Sequence, residues 1–236
     1  MKPDSINKNE YIDKFDISVK DEVIDWLPQN LAKTFARYTQ NSYYEAINQA
    51  LRTGYTDDLA AIYDIESLDK LFTLVPNKLK NKQPIVVYRG AKLTDELNQI
   101  LQKKTGTDVY TEKAYASTSR NKQVAKRFAM QPQNIIFEIT IPINSTFIED
   151  SMLPSYARSK MSGEEEVLLP RNAQFKITNY NPKTRIVEVT YLGQKQPLEI
   201  PQFYKISAQD ALAQMNKNSL WSDKINLIDK ELKNKI

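Results

Sequence analysis

Cysteine and histidine are both absent from the 236 residues. Without cysteine there is no disulfide, no thiolate metal ligand and no thiol nucleophile. Without histidine, Ser-His-Asp and Cys-His catalysis are excluded, and the commonest zinc ligand is missing. Acid–base chemistry therefore falls to carboxylates, lysine, tyrosine or the backbone. Glycine is scarce, five residues in all, and neither a glycine-rich dinucleotide fingerprint nor a P-loop can be read in the chain. A nucleotide bound here would not be held in the Rossmann manner. No run of about 18 apolar residues occurs, so no membrane span is expected. The opening Met1-Lys2-Pro3-Asp4-Ser5 lacks an apolar core and does not read as a signal peptide.

What is present is ordinary globular material, 41% hydrophobic and 26% charged. The length suits a single domain that can bury a proper core, with room for appendages. A net charge of +4, from 33 basic and 29 acidic residues, permits a polyanionic ligand without pointing to nucleic acid. The first part reads as helical. Ser18 with Asp21 forms a capping box, Pro28 ends one run and opens the next, and Ser42 with Glu45 forms a second box before Ile47, Ala50 and Leu51. Gly54 stands where a helix stop belongs. A further helix is expected from about Asp57 to Val75.

The character changes at Pro84. Ile85 to Tyr88, Ala114 to Ser119, Asn134 to Ile141 and Val167 to Leu169 read as strands, and Lys122 to Ala129 as a short helix. Phe175 to Asn179 and Arg185 to Leu192 read as a strand pair turning through Asn179-Tyr180-Asn181-Pro182-Lys183. Past Gln194 come a proline-containing connection, a helix near Ser207 to Met215 and a lysine-rich tail. Helices first, strands next and helices last make an α+β arrangement rather than alternating βαβ units. The expected organisation is a helical part over about 15–80, a sheet core over about 84–193 and a C-terminal extension over about 194–236, all within one domain.

Three short motifs carry candidate chemistry. Tyr88-Arg89-Gly90 ends the first strand. Its guanidinium suits phosphate oxygens and its glycine lets a ligand approach the backbone, though a solvated arginine before a turn would look the same. Ser117-Thr118-Ser119 places hydroxyls on a strand, where they can orient a neighbour or merely close a strand end. Glu164-Glu165-Glu166 opens the next strand. In an extended chain Glu164 and Glu166 would share a face and Glu165 would point away. Such a triplet is either a solvated acidic turn or a pair of carboxylates with different tasks around an oxocarbenium ion.

In combination and in this order, the three motifs resemble the arginine–serine–glutamate class of ADP-ribosylating toxins. That class includes the actin-modifying components of clostridial binary toxins, their insecticidal relatives and the C3-type exoenzymes. Tyr115-Ala116-Ser117-Thr118-Ser119 is similar to the family's aromatic-x-Ser-Thr-Ser strand. Gly163-Glu164-Glu165-Glu166-Val167-Leu168-Leu169-Pro170, with Phe175-Lys176-Ile177 after it, is similar to the family's Gly-Glu-x-Glu block and following strand. Phe128-Ala129-Met130-Gln131-Pro132 resembles the loop that covers the nicotinamide side of the cofactor. The resemblance spans roughly residues 40–193.

It implies an ADP-ribosyltransferase fold, two small sheets packed steeply around an NAD cleft beside flanking helices. It implies NAD as substrate, no metal, and transfer of ADP-ribose to a protein side chain with release of nicotinamide. By the same resemblance Arg89 would grip the NAD phosphates, Gly90 and Thr118 would line the cofactor, and Phe128 would stack on nicotinamide. Ser117 would hold Glu166, and Glu166 would stabilise the cationic sugar. Glutamate two residues before Glu166 goes with arginine acceptors in this family, so Glu164 implies an arginine acceptor; the resemblance also implies a side activity of NAD hydrolysis. Tyr156 and Met161 lie in the loop expected to meet the protein substrate.

Two departures stand out. Gln131 stands where the family often has a second phosphate-binding arginine, and Met161 where relatives commonly carry an aromatic. The implied setting is a toxin or effector, secreted or delivered into a host cytosol, acting on a host protein of which actin is one candidate and compatible with a separate delivery component. The competing readings are a phage or bacterial transferase acting on transcription machinery or nucleic acid, and a binding module that kept the fold without the activity.

Overall fold

The computed structural model describes residues 26–40, 43–103, 108–158, 165–196 and 198–203, without the side chains of residues 40, 59, 156, 202 and 203. Among the described residues three helices come first: α1 (Gln29–Gln40), α2 (Tyr43–Thr53) and α3 (Leu59–Leu74). Pro28 opens α1 as expected, its carbonyl accepting from Leu31 and Ala32 N–H. Gly54 ends α2 with φ 79°, a left-handed stop that suits glycine. Asp58 caps α3 by accepting from Ala60 N–H at 2.8 Å. The capping boxes read at Ser18 and Ser42, the helix near Ser207 to Met215 and the lysine-rich tail lie outside the described residues.

The strands are β1 (Tyr55–Thr56), β2 (Ile85–Lys92), β3 (Val109–Glu112), β4 (Ala116–Ser119), β5 (Asn134–Ile141), β6 (Ile148–Glu149), β7 (Glu166–Leu169), β8 (Ala173–Asn181), β9 (Ile186–Gln194) and β10 (Gln202–Phe203). Two further helices, α4 (Asp95–Lys103) and α5 (Lys122–Phe128), lie between strands. Eight strands join in the order β3-β8-β9-β5-β2-β4-β7-β6, and β1 pairs separately with β10. The α+β class is as expected. The two expected sheets appear as two blocks of one hydrogen-bonded series, and the joint between them is thin. β2 pairs with β5 over eight positions but with β4 only at Tyr88–Ser119. Beyond that single pair the two strands part, and the parting creates a cleft next to Arg89 and Gly90.

Alternation along β7 explains how the layers pack. Leu168 faces a core made with Leu31, Phe35, Ile47, Ile65 and Leu68 of the helices, whereas Val167 and Leu169 face a second core with Val87, Phe137 and Phe175. Helix α4 was not read from the sequence. It docks Leu97 and Leu101, one turn apart, into the second core. The β8–β9 turn also sits two residues later than expected, because β8 runs on to Asn181 and the turn is closed by Asn181 Oδ1 accepting from Lys183 and Thr184 N–H.

The helical layer is locked to the sheet by buried charge. Arg171, 2% exposed, places Nε and Nη2 on the Asp69 carboxylate of α3 at 3.0 and 2.7 Å. Its Nη1 reaches the Glu199 carbonyl at 2.5 Å, and Tyr115 Oη donates to the same Asp69 at 2.7 Å. The segment after β9 is thereby drawn back over the helices, where β10 pairs with β1.

Candidate functional site

Three strands converge where β2 and β4 part. In the β4–β7 ladder Ser117 stands opposite Leu168 and Ser119 opposite Glu166. Ser117, Leu168 and Glu166 therefore share one face of the pleat. Ser117 Oγ donates across the diagonal to Glu166 Oε1 at 2.6 Å, and Glu166 is 7% exposed. From β2, Arg89 Nη1 donates to the Ser117 carbonyl at 3.0 Å. The structure thus brings Arg89, Ser117 and Glu166 together, although 28 and 49 residues separate the bonded partners.

Two residues not anticipated from sequence complete the wall. Glu112, at the end of β3, is 7% exposed and lies between two guanidiniums. Its Oε1 takes Arg52 Nε at 3.2 Å and its Oε2 faces Arg89 Nη2 at 3.6 Å. It also accepts from Ala114 N–H at 3.1 Å, which fixes the carboxylate in its plane. Arg52 ends α2 and reads from sequence as an ordinary cation in a last helical turn. Glu112 falls in a stretch without strong periodicity. Only the fold pairs them. Arg89 Nε is buried without an acceptor. A charged donor left incomplete in this way is unusual in a folded chain and favours an anionic oxygen nearby.

Below the wall, Tyr38 of α1 is fully buried and hydrogen-bonded with Asn48 of α2, which lies one turn before Arg52. Burial pushes its phenol well above the usual tyrosine range, with the Asn48 bond and the Arg89 charge opposing. Tyr38 is therefore neutral and acts as a packed floor rather than a base.

Gly90 follows Arg89 and is roofed by α5. A Cβ built there would lie 2.3 Å from the Ala125 carbonyl oxygen and 2.8 Å from Phe128 Cβ. Phe128 ends α5 directly beside Gly90, its side chain 56% exposed. Thr118 is not brought to the cleft. Its side chain lies on the opposite face of β4, 4% exposed, and its hydroxyl is spent on the Val167 carbonyl at 2.5 Å. Gln131 lies in the exposed loop after α5.

The face-sharing argument for Glu164 and Glu166 does not carry over. Glu165 takes φ 44°, so the chain is not extended there and β7 begins only at Glu166. Glu164 and Met161 lie outside the described residues. Tyr156 sits in a short 3-10 turn, Ser155–Ala157, and its side chain is likewise outside them. Among the described residues no cluster of three His, Cys, Asp or Glu side chains could hold a metal ion, and no helix is long and apolar enough to cross a membrane.

Comparison with known proteins gives a consistent result. The profile of a family described as ADP-ribosyltransferase exoenzyme matches residues 23–199. Sequence comparison with curated proteins gives no match. Among solved structures, Plx2a, an ADP-ribosyltransferase toxin from Paenibacillus larvae, superposes with a TM-score of 0.54 at 23% identity, over 71% of this chain and 90% of that one. Exoenzyme S from Pseudomonas aeruginosa, solved with human 14-3-3 protein beta and bound to carba-NAD, gives 0.53 at 17% identity, over 80% and 84%. Vis, an ADP-ribosyltransferase from Vibrio splendidus solved with agmatine, gives 0.52 at 23% identity, over 84% and 90%.

Proposed function

This chain belongs to the ADP-ribosyltransferase exoenzyme family, and from that premise we propose that it transfers ADP-ribose from NAD to an arginine side chain of a host protein. The NAD-dependent mono-ADP-ribosylation itself, of the toxin or effector kind, follows from the family. The acceptor, the role of each residue and the setting are our reading. The observation that carries it is the Arg89–Ser117–Glu166 chain of contacts at the parting of β2 and β4.

Arg89 and Arg52 flank one carboxylate, so two guanidiniums stand ready for a pyrophosphate, with the unpaired Arg89 Nε turned to the same task. Gly90 offers backbone groups to the nicotinamide amide, and Phe128 beside it closes on the nicotinamide ring. Glu166, held by the Ser117 hydroxyl, keeps a fixed negative charge next to the ribose. As the nicotinamide–ribose bond breaks, positive charge grows on the sugar and this carboxylate stabilises it without reorganising. Glu164 receives the acceptor guanidinium and takes its proton as the new bond to the ribose forms. With no acceptor present, water takes that place and NAD is slowly hydrolysed.

The arginine assignment rests on the glutamate two residues before Glu166, and the binding of agmatine, a guanidinium compound, by Vis supports it. Tyr156 and Met161 contact the target protein, of which actin is one candidate. The enzyme acts after secretion or delivery into a host cytosol, with a separate delivery component as one route, and residues 1–236 work as one catalytic domain. Incubation of a host-cell lysate with labelled NAD tests the reading. A labelled band whose modified residue is arginine, lost in Glu164→Gln while NAD hydrolysis persists, supports it. Label on another residue type or on nucleic acid overturns the acceptor assignment.

A further inference from the structure

The turn between β8 and β9 is tied to the nicotinamide-side loop. Arg185 takes φ 55°, a left-handed conformation that residues bearing a Cβ seldom adopt. The strain is held from both sides. Asn181 Oδ1 closes the turn before it, and the Arg185 carbonyl accepts from Ile136 N–H at 2.9 Å. So held, the Arg185 side chain crosses to the loop between α5 and β5, where Nη1 donates to the carbonyls of Gln131 at 3.1 Å and Pro132 at 2.6 Å.

Ala129, at the start of that loop, is buried against Ala125 and Ile136, but residues 130–133 are exposed. Met130 is 76% exposed. Behind the loop lies a cavity of about 240 Å³ lined by Lys126, Ala129, Met130, Ile136, Thr184 and Arg185 among others. The other ties are polar: Asn134 Nδ2 donates to the Phe128 carbonyl at 2.9 Å, Asn134 N–H to the Gln131 carbonyl at 2.9 Å, and Leu93 N–H, just past β2, to the Gln133 carbonyl at 3.0 Å. Hydrogen bonds hold the exposed part of the loop where a packed core would otherwise do so, and Arg185 adds a charge-assisted pair from a distant element.

We propose that Arg185 is a positioning residue for NAD binding. By fixing the Gln131 and Pro132 carbonyls it keeps Phe128 beside Gly90, so that nicotinamide meets a wall already in place rather than a loop that must be ordered at each turnover. The proposal rests on the role given above to Phe128. It also gives the loop a cation at a position other than 131. Arg185 braces the backbone of the loop from behind, where an arginine at 131 would reach the phosphates from within it.

The test compares Arg185→Ala, Arg185→Lys and Lys183→Ala, the last in the same turn but with no side-chain bond to the loop among the described residues. NAD affinity is measured by titration calorimetry, KM and kcat by NAD hydrolysis, and thermal unfolding in parallel. We expect Arg185→Ala to raise the NAD Kd and KM about tenfold, close to the low end of what one charge-assisted hydrogen bond contributes, with kcat changed less than about twofold. Arg185→Lys, which keeps a donor, recovers part of the loss, and Lys183→Ala matches the parent. Limited proteolysis cuts the 129–133 loop faster in Arg185→Ala. Parental Kd and KM in Arg185→Ala, or a lowered unfolding temperature with KM unmoved, overturns the proposal. If Phe128→Ala weakens NAD binding while Arg185→Ala does not, the anchor alone fails. If Phe128→Ala also binds NAD normally, the reading of the loop fails and takes the anchor with it.

Discussion

Ser117 and Glu166 are joined diagonally across the β4–β7 pair, hydroxyl to carboxylate at 2.6 Å, although the ladder register sets Ser117 opposite Leu168. The diagonal matters because it leaves Ser117 exposed at the cleft while Glu166 is drawn under it. The carboxylate is oriented by a neighbour that costs no core packing to change.

Ser117→Ala should therefore lower kcat/KM for NAD by roughly tenfold to a hundredfold, the value of a hydrogen bond to a charged group, about 1.5–3 kcal/mol. The unfolding midpoint should hardly move, since Ser117 is exposed. Steady-state kinetics with chemical denaturation checks both. A variant with unaltered kinetics would mean that Glu166 is held by other contacts.

Glu112→Ala should cost about 3 kcal/mol of stability, because it strands the largely buried Arg89 and the Ala114 N–H together. Glu112→Gln keeps an acceptor for Ala114 and should cost less, but should weaken NAD binding by letting Arg52 and Arg89 repel. Arg52→Ala, removing a half-exposed partner, should cost under about 1 kcal/mol. Denaturation curves for the three variants rank them. Equal losses for Glu112→Ala and Arg52→Ala would refute the bridging role.

Gly90→Ala places a methyl group 2.3 Å from the Ala125 carbonyl oxygen, a backbone atom that cannot step aside alone. The C-terminal end of α5 must lift, at a cost of about 1–3 kcal/mol, and Phe128 moves with it. Expected are a lower unfolding temperature and weaker NAD binding together. Calorimetry that finds either one changed without the other would separate the helix from the cofactor wall.

Asp64 on α3 is held by Arg37 on α1, with Nε 3.1 Å from Oδ2 and Nη2 on Oδ1. Burial nonetheless raises its carboxyl above the ordinary aspartate value, outweighing the Arg37 bond and charge. A folded value above the unfolded one means that the native state binds the proton more readily in that window. Lowering pH through it favours folding as far as this group is concerned, so Asp64 does not drive acid unfolding. NMR titration of its carboxyl carbon should give a midpoint above the ordinary aspartate value. A midpoint below that would show the ion pair winning over desolvation.

Much of the fold was legible along the chain. Asn134 to Ile141 is a strand at the expected bounds, since its apolar alternation matches a sheet with one buried face. Pro28 and Gly54 mark helix ends because their restrictions on the backbone are local. Helix α4 was missed although Leu97 and Leu101 are one turn apart on an amphipathic stretch, since at nine residues it is short and mostly polar. β1 and β10, two residues each, exist only because the segment held at Glu199 by Arg171 returns beside Gly54. No local pattern announces such a pair.

Arg89, Ser117 and Glu166 could be picked out from the chain because residue type and neighbouring letters mark a strand end, a hydroxyl and an acid. Thr118 could not be set apart from Ser117 by letters, and only the pleat turned it away. The middle glutamate defeated the alternation rule, since a left-handed φ at Glu165 is a property of the loop's closure and not of the residue. Composition had already left acid–base chemistry to carboxylates, lysine, tyrosine or the backbone by leaving out histidine and cysteine. What needed three dimensions was the meeting of charges far apart in sequence: Glu112 between Arg52 and Arg89, and Arg185 on the Gln131 carbonyl. Order along a chain specifies which groups exist and their local geometry. Which groups pair across 60 or 54 residues is settled by how strands stack and where helices land.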